Sequence, residues 1–487
     1  MSPLTGDELL NASSDLERYL QSYDSLLGRV ENREHFRRFA RGQLGPIQRK
    51  SLEPIADAEG ANPRTLQFFF SQYKWDQVAV WARLRQHVAE QYGGPGGVFI
   101  IDETSDAKKG EYTPGVAPQY CGESGKIDNC IVSVHVAYAR DGYQGLIDGE
   151  LFLPESWNPN PDDPEVQEKR RRAEIPDDVV HEDKPTMALR QLQRAVNSGI
   201  EGSFTTADEG YGGKPWFRER VASMKLTYVF EVPKSTQGWT HEPRVIPPPK
   251  RKRTGGRPPG PRFSQIGRYR VDKLTAHRRG LRFLPWKRFK VHDTEKGPEV
   301  WEFKAAPFWE HSDGRPRELD QLLLVGRNVR TKDIKYFLSN AAPDTPIETL
   351  IYIAFSRWRV ERCFQDCKTE LGLNHAELRT YQGLHRHLAL TAVNYFFLQD
   401  WMLKHVEKKK ERVDCQPVCR LDREALSTPH RGNHDQTANE ATGREAGERY
   451  RLDAGAQGRL SDISDAASRT RPEAAGDRYR PAGFVPV

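Results

Sequence analysis

Two short predicted strands that each lead into an aspartate constrain the fold of this chain more than any other feature. Val98–Ile101 (VFII) is rich in β-branched residues and follows a glycine-rich turn, which is typical of a buried strand, and Asp102 comes next. A second predicted strand, SFTTA, leads in the same way to Asp208. Because open α/β sheets place their reactive groups at the carboxyl ends of strands, we expect the two aspartates at one edge of a sheet.

The predicted elements around these aspartates follow the order of a ribonuclease-H-like α/β core. Further strands are expected at 131–139, 146–154 and 226–233, and a helix with proline in its first turn at 184–197. A third acid, Glu361, lies in a predicted helix that runs with a break to Leu371 and ends at Gly372. This fold has the following order of elements: three strands, a helix, a strand, an insertion and then a helix that carries a carboxylate.

Phosphodiester chemistry gives a reason for three carboxylates that come from distant segments. Two Mg²⁺ ions about 4 Å apart activate the attacking water or 3′-hydroxyl and stabilise the leaving oxygen, and Mg²⁺ prefers a few carboxylates together with phosphate. Asp102, Asp208 and Glu361 are therefore the candidate catalytic residues and metal ligands, with two Mg²⁺ ions as cofactor and Mn²⁺ as a substitute. Each residue taken singly also has a structural interpretation, because such aspartates often cap helices and a helical glutamate often faces solvent.

Positive charge is concentrated between Lys250 and Lys290. This stretch holds fifteen Lys and Arg residues against one acid, Asp272, so it carries +14 while the rest of the chain carries −8. Aromatic residues interleave with the charges, which favours a folded nucleic-acid contact over a solvated charge run. The segment Gly255–Pro258 (GGRP) is either a minor-groove hook or part of a proline-rich linker. The candidate DNA-binding residues are Lys250, Arg251, Lys252, Arg253, Arg257 and Arg262.

Composition along the chain divides it into five regions. Residues 1–95 have helical periodicity and form a predicted DNA-binding region. Their sequence is equally compatible with a helix-turn-helix and with a plain helical bundle. The other boundaries are 96–233 for the first part of the catalytic core, 234–320 for a basic β-rich insertion, 321–410 for the second part of the core with the Glu361 helix, and 411–487 for a tail expected to be disordered.

Three motifs resemble those of bacterial insertion-sequence DDE transposases, in the branch related to hairpin-forming cut-and-paste enzymes. The family's block around its first catalytic aspartate is similar to this chain's IDETSDAKKGEYTPGVAPQYCGESGKIDNC (101–130). The family's block around its second aspartate is similar to this chain's TADEGYG (206–212). The segment with the catalytic glutamate resembles RWRVERCFQDCKTELGLNHAELRTYQGLHRHLAL (357–390). The resemblance spans roughly residues 30–400 and supports the same three acids.

Two details of the third motif bear on DNA contacts. Arg357, Glu361 and Lys368 share one helix face, so Arg357 and Lys368 are candidate contacts to DNA phosphates beside the metal site. The related signature has a tyrosine three residues before the arginine, where this chain has Ala354, so a hairpin role for that tyrosine is not implied. His385 and His387 are expected to pack or to contact phosphate rather than to bind a metal. Trp286 and Trp301 are expected to pack in the core of the insertion rather than to stack on an unpaired base.

The resemblance implies a transposase that binds the ends of its mobile element, cleaves them by Mg²⁺-dependent hydrolysis and joins the 3′ ends to target DNA. Its partner would be double-stranded DNA, on which it would act as a homodimer. Two alternatives are a non-mobile ribonuclease-H-like nuclease, against which the long basic insertion argues, and a catalytically silent DNA-binding regulator, against which the three acids argue. Six cysteines without a C-x-x-C pair and the lack of a long apolar window predict no disulfide framework and no membrane segment, so we expect a cytoplasmic protein at the bacterial nucleoid.

Overall fold

The computed structural model describes most of the first 405 residues. The described ranges are 6–246, 262–263, 268–278, 280–294, 297–312, 315–316, 321–405 and 419–420. The predicted tail, 411–487, therefore lies outside the described residues, apart from Cys419–Arg420. No helix in the described ranges combines the length and apolar character that crossing a bilayer requires.

The N-terminal region is helical, as predicted. Its helices are α1 (Gly6–Gln21), α2 (Asp24–Leu27), α3 (Val30–Leu44), α4 (Leu52–Ala58), α5 (Pro63–Ser71) and α6 (Gln77–Tyr92). Side-chain caps fix where the last two begin, because Asn62 accepts a hydrogen bond from the backbone N–H of Arg64 and Asp76 accepts one from that of Val78.

The catalytic core and the insertion follow in chain order. The first part of the core contains β1 (Val98–Ala107), β2 (Ala117–Cys121), β3 (Lys126–Arg140), β4 (Tyr143–Leu151), α7 (Pro164–Arg172), α8 (Lys184–Asn197), β5 (Phe204–Ala207), α9 (Glu209–Gly212), α10 (Pro215–Ser223) and β6 (Thr227–Glu231). The insertion contributes β7 (Gln237–Trp239), β8 (Val245–Ile246), β9 (Arg262–Phe263), β10 (Tyr269–Arg270), α11 (Val271–Leu274), β11 (Lys287–Thr294), β12 (Gly297–Ser312) and β13 (Arg315–Pro316). The chain then forms β14 (Gln321–Asn328), β15 (Ile334–Ser339), α12 (Ile347–Phe355), α13 (Trp358–Thr369), α14 (Tyr381–His405) and β16 (Cys419–Arg420).

The central sheet has the strand order of a ribonuclease-H-like fold. Strands β4, β3, β1, β5 and β6 are neighbours in that order; β3 is antiparallel to both β4 and β1, whereas β1, β5 and β6 are parallel. The helix α8 provides the crossover between β4 and β5, as parallel pairing requires. The predicted α/β fold class is confirmed.

The insertion extends this sheet rather than forming a separate one. Strand β15 pairs with β6, β14 pairs with β15, and the long insertion strand β12 pairs with β14 from Trp301 to Phe308. A second hydrophobic cluster lies on this side of the sheet and includes Val271, Leu281 and Phe308 of the insertion with Leu323 of β14. The insertion is thus joined to the core through backbone pairing and a shared apolar layer.

A buried arginine joins the N-terminal helices to the core. Arg386 of α14 is 1% exposed and donates hydrogen bonds to four backbone carbonyls at the end of α5 and in the turn after it, those of Phe69, Phe70, Tyr73 and Trp75. These are carbonyls that a helix end and a turn leave without partners. Since one hydrophobic cluster also runs through α1, α3, α5 and α14, the N-terminal region packs on the core helix.

Candidate active site

Asp102 and Asp208 are neighbours because of strand register. The parallel pairing of β1 with β5 ends at Ile101 opposite Ala207, and the two aspartates are the next residue on each strand. The expectation that β1 ends at Asp102 is wrong, since β1 continues to Ala107. The reason is that the other edge of β1 stays paired with β3, which the local sequence does not reveal.

Asp208 caps a short helix. It is the N-cap of α9, and its Oδ1 accepts hydrogen bonds from the backbone N–H groups of Gly210 (3.0 Å) and Tyr211 (3.4 Å). The structural role considered from the sequence is therefore present. It fixes the orientation of the carboxylate while engaging one of its two oxygens.

Glu361 reaches the same region from a helix break. Helix α12 ends at Phe355 and α13 begins at Trp358, so the predicted break lies at Ser356 and Arg357, and Glu361 falls in the first turn of α13. Its side chain is 56% exposed. The predicted end of the helix at Leu371 is two residues too late, because α13 ends at Thr369 with Glu370 as its C-cap; Gly372, with a left-handed φ of 65°, begins the next turn.

Arg357 bridges two of the three predicted acids. Its Nη1 lies 2.9 Å from Oδ2 of Asp102, and its Nη2 lies 2.5 Å from Oε1 of Glu361. The Arg357 side chain is 22% exposed, and that of Asp102 is 11% exposed. The guanidinium thus connects β1 to α13 through two charge-assisted hydrogen bonds.

Both burial and neighbouring charges affect the pKa of Asp102. Burial raises the pKa of Asp102 to about 7; Arg357 and the backbone N–H of Glu103 oppose that rise, whereas the charges of Asp208 and Glu361 add to it. Burial acts to lower the pKa of Arg357, but the carboxylates beside it outweigh burial and raise that pKa. The site is therefore a concentration of negative charge that one arginine only partly neutralises.

The three acids do not converge as a ready metal cage. Within the described part of the chain, no group of three or more His, Cys, Asp and Glu side chains is arranged to hold a metal ion. The donor chemistry suits a hard cation. In this structure the positive charge between Asp102 and Glu361 is the Arg357 guanidinium, which is bonded to one oxygen of each acid.

A second polar cluster beside the aspartates was not foreseen from the sequence. Glu103 accepts a hydrogen bond from Nζ of Lys184 at 2.7 Å and another from the hydroxyl of Tyr211 at 3.2 Å. Tyr211 is buried, and burial followed by the charges of Glu103, Asp102 and Asp208 raises its pKa well above the usual value. The only signal in the sequence is that Glu103 and Tyr211 fall inside the two aspartate motifs.

The predicted DNA-binding residues have different positions. Lys368 donates a hydrogen bond to the carbonyl of Ser105 at 2.8 Å, on the strand that carries Asp102. Its phosphate contact and that of Arg357 stay predictions. Lys250, Arg251, Lys252, Arg253 and Arg257 lie outside the described residues, and Arg262 is described only by its backbone in β9.

The expected packing residues are in the interior. His385 and His387 are 9% and 2% exposed, and Trp301 is 4% exposed against Phe303 and Phe355. Trp286 lies half-buried between Lys304 and Arg327, whose cationic groups are 4.6 Å and 4.5 Å from its ring. In the insertion, Phe283 is the large apolar side chain with the greatest exposure among those described, at 73%.

The fold is that of a ribonuclease-H-like core, and comparison with known proteins agrees. The model of the DDE superfamily endonuclease family matches residues 22–298, more than half of the chain, so the chain belongs to that family. It is also 30% identical over 220 residues to the "Probable transposase for insertion sequence element IS701" of Microchaete diplosiphon.

Both matches cover only part of the chain. The match to the transposase covers 45% of this chain and 53% of the relative, so the chain spans about half of that relative's length. The family match includes Asp102 and Asp208 but ends before Glu361. The assignment of Glu361 as the third acid therefore stays a prediction.

Proposed function

We propose that this protein is a DNA transposase whose active site consists of Asp102, Asp208 and Glu361. The observation that carries the proposal is the register of β1 and β5, which makes Asp102 and Asp208 adjacent at the point where their pairing ends. Glu361 is linked to Asp102 through Arg357. The similarity to an insertion-sequence transposase supports DNA as the substrate.

A divalent cation is the cofactor that this donor set favours. DDE superfamily endonucleases normally use divalent metals, and carboxylate oxygens are the ligands that Mg²⁺ and Mn²⁺ prefer. When bound, two such ions would supply an activated oxygen nucleophile and stabilisation of the leaving oxygen. The part of this chain is to hold the three carboxylates near one another, with β1, the cap of α9 and the first turn of α13 as supports.

The finer activity follows from the same proposal. The enzyme would bind the ends of its mobile element, cleave them by Mg²⁺-dependent hydrolysis and join the 3′ ends to target DNA. Because two ends must be processed together, we infer a homodimer on DNA. The basic segment Lys250–Lys290 would supply contacts to the phosphate backbone, whose charge dominates non-specific affinity.

The direct test replaces each aspartate with its neutral isostere. Asp102→Asn and Asp208→Asn should abolish cleavage of duplexes that carry the element's end, whereas binding of the same duplex should persist because phosphate contacts come from Lys and Arg elsewhere. Both reactions are measured with Mg²⁺, cleavage on a denaturing gel and binding by fluorescence anisotropy.

Glu209 offers the matched control for these variants. It is exposed, follows Asp208 directly and lies in the same short helix α9, so Glu209→Gln removes the same charge without touching the site. Glu103 and Asp106 are poorer controls, since Lys184 and Tyr211 hold Glu103 and Lys108 pairs with Asp106. Wild-type cleavage by either aspartate variant would show that this aspartate is not catalytic. DNA binding without cleavage by the unaltered protein would favour a catalytically silent DNA-binding regulator.

A further inference from the structure

We propose that Arg357 competes with the metal ion for Asp102 and Glu361, so that metal binding requires the guanidinium to leave the carboxylates. This inference rests on the proposed function, because it assumes that the two acids are metal ligands. It goes further because it assigns Arg357 control over the metal affinity of the site.

The geometry makes the competition direct. Arg357 engages Oδ2 of the buried Asp102 and Oε1 of Glu361, one nitrogen to each. The other oxygen of Asp102, Oδ1, accepts the backbone N–H of Glu103 at 2.8 Å. A cation that coordinates Asp102 and Glu361 together would therefore lie beside a guanidinium bonded to both acids, and two positive charges this close repel each other strongly.

The arginine has a route out of the site. Its partner Glu361 is more than half exposed, so the ion pair between them borders on solvent. Arg357 also lies at the break between α12 and α13, where the helix hydrogen bonds are already interrupted. The side chain can thus turn outward without unwinding a helix.

A phosphate is the anion that suits the released guanidinium. Its planar fork matches two oxygens of a phosphate as well as it matches carboxylates. If DNA phosphate takes the guanidinium, DNA binding and metal binding favour each other, because each removes the same competing contact. The arginine would then keep metal affinity low until DNA is bound.

The test measures Mn²⁺ affinity by isothermal titration calorimetry in the full-length protein without DNA. Arg357→Gln should bind Mn²⁺ about tenfold more tightly than the wild type, which corresponds to about 1.4 kcal/mol. Arg357→Lys keeps the charge but offers a single nitrogen in place of the two that reach the two acids, so its affinity should fall between the two. It also serves as the second variant if Arg357→Gln does not fold.

Arg362→Gln is the matched control. Arg362 lies on the same helix, α13, and pairs with Asp366 at 2.8 Å with 53% of its side chain exposed. Its replacement removes one positive charge near the site, so a general charge effect would tighten Mn²⁺ binding in both variants. The competition predicts a change for Arg362→Gln of no more than about twofold, as expected for a screened surface charge.

The outcomes separate this inference from the proposed function. If the wild type binds Mn²⁺ and Arg357→Gln binds it equally well or more weakly, the competition is wrong while the metal site stands. If no protein binds Mn²⁺ saturably, the proposed metal site is wrong and the competition falls with it. A short duplex should raise the Mn²⁺ affinity of the wild type more than that of Arg357→Gln, and an equal rise in both would contradict the coupling to DNA.

Discussion

Arg386→Met should destabilise the protein and loosen the N-terminal helices from α14. In the native protein the guanidinium donates to four backbone carbonyls at distances of 2.6–3.2 Å and lies 4.4 Å from the ring of Trp75. Methionine fills a similar volume but donates no hydrogen bond, so the carbonyls at the end of α5 would lose their partners.

The magnitude follows from these contacts. Hydrogen bonds to a charged group contribute about 1.5 kcal/mol each at the low end, or roughly 6 kcal/mol for four. Burial lowers the pKa of Arg386 from 12.5 to about 10, and this shift corresponds to a desolvation cost of about 3 kcal/mol. The net loss of unfolding free energy is therefore expected to be about 3 kcal/mol.

Two measurements check this expectation. Urea unfolding followed by far-UV circular dichroism gives the free energy, and limited proteolysis should show faster cutting between residues 72 and 76, next to α5. Arg64→Met is the control, because Arg64 is exposed on α5 and contacts only the face of Phe68, at 5.4 Å. A loss below about 1 kcal/mol for Arg386→Met, or equal losses for both variants, would refute the idea that this arginine fastens the N-terminal region.

Three further predictions concern other parts of the molecule. Glu310→Gln should lower the free energy of unfolding, measured in urea, by about 3–5 kcal/mol. The reason is that Glu310 of the insertion is the charged partner of the buried Arg218 guanidinium on α10. A loss under about 1 kcal/mol would contradict this. The free energy of unfolding should fall as the pH drops from 6.5 towards 4, because the unfolded chain then binds more protons than the folded chain. Each histidine that burial holds neutral should contribute about 1.4 kcal/mol per pH unit. His387→Gln should flatten this dependence, and an unchanged slope would refute the explanation. The other histidines in this class are His87, His135 and His385, each with a pKa lowered by burial to about 4. In the basic segment, alanine in place of four cations should reduce the salt dependence of DNA affinity by about 0.9 in log–log slope per lost phosphate contact, whereas an unchanged slope would favour the linker interpretation. Those cations are Arg251, Lys252, Arg253 and Arg257.

The core of the fold could be predicted because its information is local. Each parallel strand is a short β-branched run, and Asp102 and Asp208 follow directly where β1 and β5 stop pairing. The helix break before Glu361 is likewise predicted from neighbouring residues. These features need no knowledge of distant partners.

What the sequence could not predict depends on pairing over long distances. β1 continues beyond Asp102 because it pairs with β3, and the sheet extends into the insertion because β12 pairs with β14. The contact of Arg357 with Asp102 joins residues 255 positions apart. Residue periodicity predicts which residues are buried but not which partner each one meets.

The most direct test of the central claim is cleavage by Glu361→Gln, because the family match ends before this residue. The variant keeps the shape of the side chain and removes one charged oxygen ligand. Glu370→Gln is the control, since Glu370 is an exposed acid at the end of the same helix. With Mg²⁺ and a duplex carrying the element's end, we predict no cleavage by Glu361→Gln, normal cleavage by Glu370→Gln, and DNA binding by both. Cleavage by Glu361→Gln at the wild-type rate would show that the third carboxylate of the active site has been wrongly assigned.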